Sequence, residues 1–83
     1  MDEQRLREVF GQELRKARNS AGISQEKLAL LIGLDRTYIS MLERGLRQPT
    51  LTTIFLLCPA LNLSSVEMIL KVQESFDEGG SHD

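Results

Sequence analysis

Glycines at positions 22, 33 and 45 constrain the fold of this chain most, because they divide its middle into short segments. Glycine often ends a helix, since it adopts the left-handed conformation that closes the last turn at little cost. Both segments between these glycines open on a helix-capping residue: Ser24 precedes "QEKLALLI" and Asp35 precedes "RTYISMLER". The apolar run "LALLIGL" also fits a buried strand, but its leucine and alanine content favours a helix. Two short helices joined at Gly33 are therefore predicted.

The segments on either side of this pair also have helical patterns. Before it, apolar residues recur at three- and four-residue spacing on one helix face, at Leu6, Phe10, Leu14, Ala17 and Ala21. After it, Thr50 caps a fourth helix that runs from Leu51 towards Asn62. The string "SSVE" at positions 64–67 has the form of a capping box and starts a fifth helix, which ends near Phe76. Pro59 is expected to kink or shorten the fourth helix, because its ring removes a backbone donor.

The predicted fold class is therefore all-α, a compact five-helix bundle. With 83 residues the chain is long enough for one domain and too short for two. We expect residues 1–76 to form that domain, with the fifth helix serving dimerisation. Residues 77–83 are polar and glycine-rich, and we expect them to be a flexible tail.

Composition disfavours several kinds of site. Cys58 and His82 are the single cysteine and the single histidine, so neither an internal disulfide nor a bound zinc ion or other cofactor is expected. No paired nucleophile and general base is visible, so we do not expect an enzyme. The longest apolar run, Ile54 to Leu61, is too short to span a membrane. No signal segment opens the chain, and a cytoplasmic location is expected.

Charge is distributed unevenly along the chain. The formal net charge is −2, which by itself argues against a nucleic-acid partner. Between Arg15 and Arg47, however, seven basic residues stand against three acidic ones, whereas from Leu51 to Asp83 one lysine stands against five acids. Such asymmetry is compatible with a basic binding face in the first part of the chain.

The predicted helix pair has the form of a helix-turn-helix, whose second helix enters the major groove of DNA. Apolar residues of the two helices must face each other to bury a shared seam, which we assign to Leu28, Ala29, Ile32, Ile39 and Leu42. That orientation leaves four residues of the second helix mainly outward: Arg36, Thr37, Ser40 and Met41. They lie near its N-terminus, the end from which such helices meet base edges.

The segment "SQEKLALLIGLDRTYISMLERGLRQPTL" resembles the XRE (Cro/phage-repressor) helix-turn-helix family. The matching signs are "SQEKLA", "GLDRTYIS", "ERG" and "RQPTL", and the resemblance extends from about Phe10 to Met68. It implies a lambda-repressor-like DNA-binding domain. The string "LDRTYIS" followed by "ER" is also similar to the controller proteins of restriction–modification systems, which are small homodimers, although many other XRE regulators carry it.

The resemblance implies DNA contacts for eight residues: Gln25, Arg36, Thr37, Tyr38, Ser40, Met41, Arg44 and Arg47. Gln25 matches a position that hydrogen-bonds a phosphate, and Arg36 matches a base-reading position. An arginine can donate two hydrogen bonds to guanine, worth about 1–3 kcal/mol of discrimination. Tyr38 has two alternatives, a DNA contact or packing of its ring on the neighbouring helix. Ser40 and Met41 are weaker candidates because their face turns away from the groove.

The same resemblance assigns Arg18 and Glu43 to a structural salt bridge between the first helix and the end of the third. The fifth helix is apolar on two sides, which suggests burial on both. We predict that Ile69 and Phe76 fit an inward stripe and that Met68 and Val72 form a second stripe. The dimer interface is assigned to Met68, Val72 and Phe76.

The sequence thus predicts a transcription regulator that binds double-stranded DNA as a homodimer on a palindromic operator, and thereby blocks or recruits RNA polymerase. The controller of a restriction–modification system is a narrower form of this hypothesis. An antitoxin-like autorepressor is an alternative in the same class. A protein-interaction module that uses the fold without reading DNA is an alternative from another class, favoured by the acidic total charge and disfavoured by the basic stretch.

Overall fold

The computed structural model describes residues 1–80. The last three residues, 81–83, lie outside the described residues, and His82 is one of them. The order of elements is α1 (Glu3–Ser20), α2 (Gln25–Ile32), α3 (Arg36–Glu43), α4 (Leu51–Ala60) and α5 (Ser65–Gly80). No strand occurs within residues 1–80, so the all-α prediction is confirmed.

Capping residues and glycines set the ends of the central helices. The Ser24 hydroxyl accepts a hydrogen bond from the backbone N–H of Lys27 at 3.0 Å, and the Asp35 carboxylate accepts one from Thr37 at 2.8 Å. Gly33 closes α2 in the left-handed conformation with φ of 71°. Two features require a glycine at position 45. Its φ is 73°, and a Cβ there would lie 2.8 Å from the Glu8 side chain.

The fifth helix begins as predicted and ends later. Ser64 and Glu67 form the reciprocal capping box, with distances of 2.9 and 3.1 Å. These hydrogen bonds hold the pKa of Glu67 below its ordinary value. The helix then continues to Gly80, so the predicted end near Phe76 is wrong, and residues 77–80 are helical rather than a flexible tail. Arg5 packs against this part of α5, since its guanidinium lies 3.9 Å from the Phe76 ring centroid and donates to the Phe76 carbonyl.

The α4 helix is shorter than predicted. The helix passes through Pro59 and ends at Ala60, two residues before the predicted limit at Asn62. The chain then bends by 108° into α5. Asn62 makes this corner with a φ of 59°, a conformation that asparagine adopts more readily than most residues.

The core lies between the helices: α1 packs on both α3 and α5, and α2 packs on both α3 and α4. Its fully buried side chains are Leu14, Leu28, Ile39, Leu42, Leu57, Cys58 and Met68. Gly11 permits the close crossing of α1 over α3, because a Cβ at that position would lie 2.5 Å from the carbonyl oxygens of Leu42 and Glu43. This crossing brings the end of α3 beneath the side chains of α1.

No single helix within residues 1–80 is both long and apolar enough to cross a bilayer. Only the bent pair of α4 and α5 meets such a criterion, by length and composition alone.

Candidate nucleic-acid interface

The seam between α2 and α3 is buried as predicted. Ile39, Leu42 and Leu28 are fully buried, and Ala29 is 4% exposed. Ile32 is half-buried against the same core. With these side chains turned inward, the orientation of α3 about its own axis is fixed.

The N-terminal residues of α3 face solvent. Arg36 and Thr37 are exposed, while Ser40 and Met41, one turn later, are half-buried. No other side chain within residues 1–80 forms a hydrogen bond or ion pair with Arg36. Arg36 lines an open surface cavity of about 440 Å³ together with residues of α2 and its flanking turns. Arg36 is therefore available to a ligand that approaches this end of α3.

Tyr38 packs against the neighbouring helix. Its ring is half-buried on the core, and its hydroxyl lies 3.3 Å from the Thr53 hydroxyl at the start of α4. The Arg47 guanidinium lies 5.9 Å from the ring centroid. Of the two alternatives for Tyr38, this geometry matches the packing one, and the hydroxyl has a partner within the chain.

Arg44 and Arg47 are exposed beyond the C-terminal end of α3. Arg44 donates a long hydrogen bond of 3.4 Å to the Ser40 carbonyl. Both arginines thus stand on the exposed surface that follows α3.

The predicted ion pair between Arg18 and Glu43 is present. Arg18 donates from Nε to Glu43 Oε2 at 2.6 Å and from Nη2 to Oε1 at 3.1 Å. Its Nη1 donates to the Ile23 carbonyl at 2.9 Å. The Glu43 side chain is fully buried and that of Arg18 is 12% exposed, so the pair belongs to the interior.

Two further donors reach the same carboxylate, and the sequence did not predict either contact. Gln25 Nε2 donates to Glu43 Oε1 at 3.0 Å, and Arg15 Nε donates to the same oxygen at 3.2 Å. Arg15 lies one helical turn before Arg18, a spacing that puts both on one face of α1 and could have indicated the second contact. The Gln25 amide, predicted to meet a phosphate, has an internal partner in this structure, and the phosphate contact stays a prediction.

These contacts determine the charge state of the cluster. Burial alone would raise the pKa of Glu43, but hydrogen bonds from Arg18, Gln25 and Arg15 outweigh it, and the net pKa lies below its ordinary value. The Arg18 pKa is raised, chiefly by its hydrogen bond to Glu43. Both partners are therefore ionised at neutral pH.

The assignment of faces on α5 needs correction. Met68 is fully buried and Val72 is 7% exposed, because both pack into the chain's own core, whereas Ile69, expected to point inward, is 46% exposed. Phe76 is half-buried beneath Arg5. Met68 and Val72 are thus not available to a second subunit, and the exposed side of α5 is a different one.

The exposed side of α5 joins α4 in an apolar surface. We call this the α4–α5 surface, and its large apolar members are Phe55, Val66, Ile69 and Leu70. They line a shallow cavity of about 460 Å³ with Ser65 and Gln73. Leu30 and Leu31 on α2 are also exposed.

Residues 1–80 contain no cluster of three or more histidine, cysteine or acidic side chains arranged to hold a metal ion. Cys58 is fully buried, and burial raises the pKa of its thiol.

Comparison with known proteins agrees with this geometry. The model of the helix-turn-helix family matches residues 14–68, which include α2, α3 and α4, the end of α1 and the start of α5. Control protein C.SmaI from Serratia marcescens is 39% identical over 66 residues, which is 80% of this chain and 79% of that protein.

Two solved structures of controller proteins have the same fold. The restriction–modification controller protein C.AhdI from Aeromonas hydrophila is 45% identical with a TM-score of 0.72, over 75% of this chain and 94% of that one. The controller protein C.Esp1396I, solved as a tetramer in complex with its natural 35-base-pair operator, is 33% identical with a TM-score of 0.75, over 83% and 91% of the two chains.

Proposed function

Because this chain belongs to the helix-turn-helix family of DNA-binding transcription regulators, we propose that two copies of it bind a palindromic operator with α3 in the major groove. The single observation that carries the proposal is the exposed Arg36 at the start of α3, opposite the buried Ile39 and Leu42 and without a side-chain partner in the described part of the chain.

Base reading falls to Arg36 and Thr37. An arginine that enters the groove from the N-terminal end of a helix can donate two hydrogen bonds to guanine O6 and N7. Thr37 offers a hydroxyl and a methyl group, which suit a base edge and a thymine methyl respectively. Ser40 and Met41 are half-buried and contribute at the margin of this contact.

Backbone contacts fall to residues around the reading helix. Arg44 and Arg47 are exposed and can each neutralise a phosphate. At the start of α2, the backbone N–H groups of Gln25 and Glu26 have no intrahelical acceptor, and a phosphate can fill that role. Tyr38 supports the interface from within, since its ring packs on α4 beside Arg47.

The α4–α5 surface is the proposed dimer contact. As the dimer interface it takes the place of Met68 and Val72, whose side chains are buried in the chain's own core. Phe55, Val66, Ile69 and Leu70 form an apolar patch that a second copy of the chain would cover across a two-fold axis. C.Esp1396I binds its operator as a tetramer, which supports an oligomeric DNA-bound form here.

Within the family, the controller of a restriction–modification system is the favoured role. The observation that supports it is the similarity to C.SmaI and C.AhdI over most of their lengths. Such a regulator acts in the cytoplasm, and occupancy of its operator blocks or recruits RNA polymerase. Adjacent methyltransferase and endonuclease genes under its control would support this role over an antitoxin-like autorepressor.

Selection from a random duplex library tests the DNA-reading proposal directly. We expect enrichment of a palindrome whose half-site centres lie about 34 Å apart, or one helical turn. Footprinting on the enriched duplex should protect both half-sites. Recovery of no sequence preference would contradict the proposal and favour a protein-interaction module.

A further inference from the structure

Two arginines of α1 contact the same carboxylate in different ways. Arg18 is nearly buried, and all three of its guanidinium nitrogens donate to acceptors within the chain. The Arg15 side chain is 55% exposed and donates only from Nε, to Glu43 at 3.2 Å. Its two terminal amino groups have no acceptor within residues 1–80. Arg18 is therefore fully engaged in the fold, and Arg15 is not.

Arg15 stands beside the first residue of α2. Its Nε and the Gln25 amide donate to one and the same oxygen, Glu43 Oε1, at 3.2 and 3.0 Å. The side chains of Arg15 and Gln25 therefore meet at a single atom. Gln25 opens α2, where free backbone N–H groups and the positive end of the helix dipole favour an anion.

The charges of this cluster leave a positive excess. One carboxylate, Glu43, is shared by two guanidinium groups, and Arg18 alone already gives it two hydrogen bonds. A planar guanidinium with two free amino groups is suited to a phosphate, which it can contact through two parallel N–H···O bonds. Glu43 is also the last residue of α3, so the cluster is rigidly attached to the reading helix.

We propose that Arg15 is a DNA backbone-binding residue, held by Glu43 through Nε so that its two amino groups meet a phosphate next to the α2 N-terminus. Arg18 is its structural counterpart and touches no DNA. This inference rests on the proposed docking of α2 and α3 on DNA. It adds to the interface a residue of α1.

The salt dependence of binding tests the assignment. The probe is a fluorescent duplex enriched by the wild-type protein, measured by anisotropy across a range of salt concentrations. Each phosphate contact contributes about 0.9 to the slope of log K against log salt, so Arg15→Gln should reduce the slope by about 1.8 for a dimer. The rank order of preferred sequences should not change, because a phosphate contact carries no base information.

Lys16→Gln is the matched control. It removes the same charge from the adjacent residue of α1, but Lys16 pairs with Glu13, whose carboxylate also accepts from Ser75 on α5. The control should therefore leave the slope unchanged. An equal loss of slope in both variants would mean that only the total charge matters, and would overturn the assignment of Arg15.

Folding does not confound the test. In Arg15→Gln, Glu43 keeps its hydrogen bonds from Arg18 and Gln25, so the thermal midpoint should stay near that of wild type. A second measurement replaces single phosphates of the duplex by neutral methylphosphonates. One replacement per half-site should weaken wild-type binding and leave Arg15→Gln unaffected.

The outcomes separate the two proposals. If wild type shows no sequence preference for any duplex, the proposed function fails. If wild type binds specifically while Arg15→Gln has the same salt slope and the same methylphosphonate profile, the proposed function stands and the role of Arg15 is wrong.

Discussion

The end of α3 and the exposed side of α5 differ in what fixes them. Glu43 at the end of α3 is buried under three donors that come from α1 and α2. The exposed side of α5 carries Val66, Ile69 and Leu70, which make no polar contact and form part of the α4–α5 surface. The first region is held by directional bonds within one chain, so it is complete in the monomer. The second is an apolar area that a second copy is expected to cover.

The largest expected effect comes from removing an ion-pair partner of Glu43 in the first region. Arg18→Ala removes the main partner of a fully buried carboxylate, and breaking such a pair from one side costs about 3–5 kcal/mol. We expect that loss in the free energy of unfolding, measured by urea denaturation. Arg44→Ala is the control, since Arg44 is exposed and makes only a long hydrogen bond. A loss in Arg18→Ala no greater than in the control would contradict the account of the Glu43 cluster.

Lowering the pH weakens the same region without a mutation. Because the folded-state pKa of Glu43 is lowered, its contribution is present above the ordinary glutamate pKa of about 4.3 and is lost as the pH falls through the folded-state value. The stability advantage of wild type over Glu43→Gln should therefore shrink as the pH falls from 7 to 3. Unfolding curves for both proteins at several pH values measure it, and a constant difference would show that the charge of Glu43 does not stabilise the fold.

One substitution on each face of α5 tests the second region. Ile69→Glu places a charge in the α4–α5 surface and should convert a dimer at micromolar concentration to a monomer in sedimentation. Met68→Ala should leave the assembly intact and lower the free energy of unfolding by about 2–5 kcal/mol, because it opens a cavity in the core. A dimer that survives Ile69→Glu, or a wild type that is monomeric, would contradict the assignment of this surface.

The same two regions show how far the sequence predicts this molecule. Local signals were sufficient for the helix pair: the caps at Ser24 and Asp35 and the glycine at 33 appear as predicted, and the seam of Ile39 and Leu42 follows from helical period. These features depend on neighbours within a few residues. The exposure of Arg36 follows directly from them.

The contacts that were missed depend on how helices cross. The spacing of Arg15 and Arg18 puts both side chains on one face of α1, but it does not give the distance between α1 and α3, which Gly11 keeps short. On α5, apolar residues occur around most of the helix, so periodicity could not decide between Met68 and Ile69 as the buried one. The helix also continues past its predicted end, where it contacts Arg5, a residue more than 70 positions away in the sequence.

The most direct test of the central claim compares Arg36→Ala with wild type on the duplex that wild type selects, at a fixed salt concentration. The account predicts a loss of about 1–3 kcal/mol per half-site and relaxed preference at one base pair of each half-site, with an unchanged thermal midpoint because Arg36 is exposed. Unchanged affinity together with unchanged sequence preference would show that the start of α3 does not read DNA.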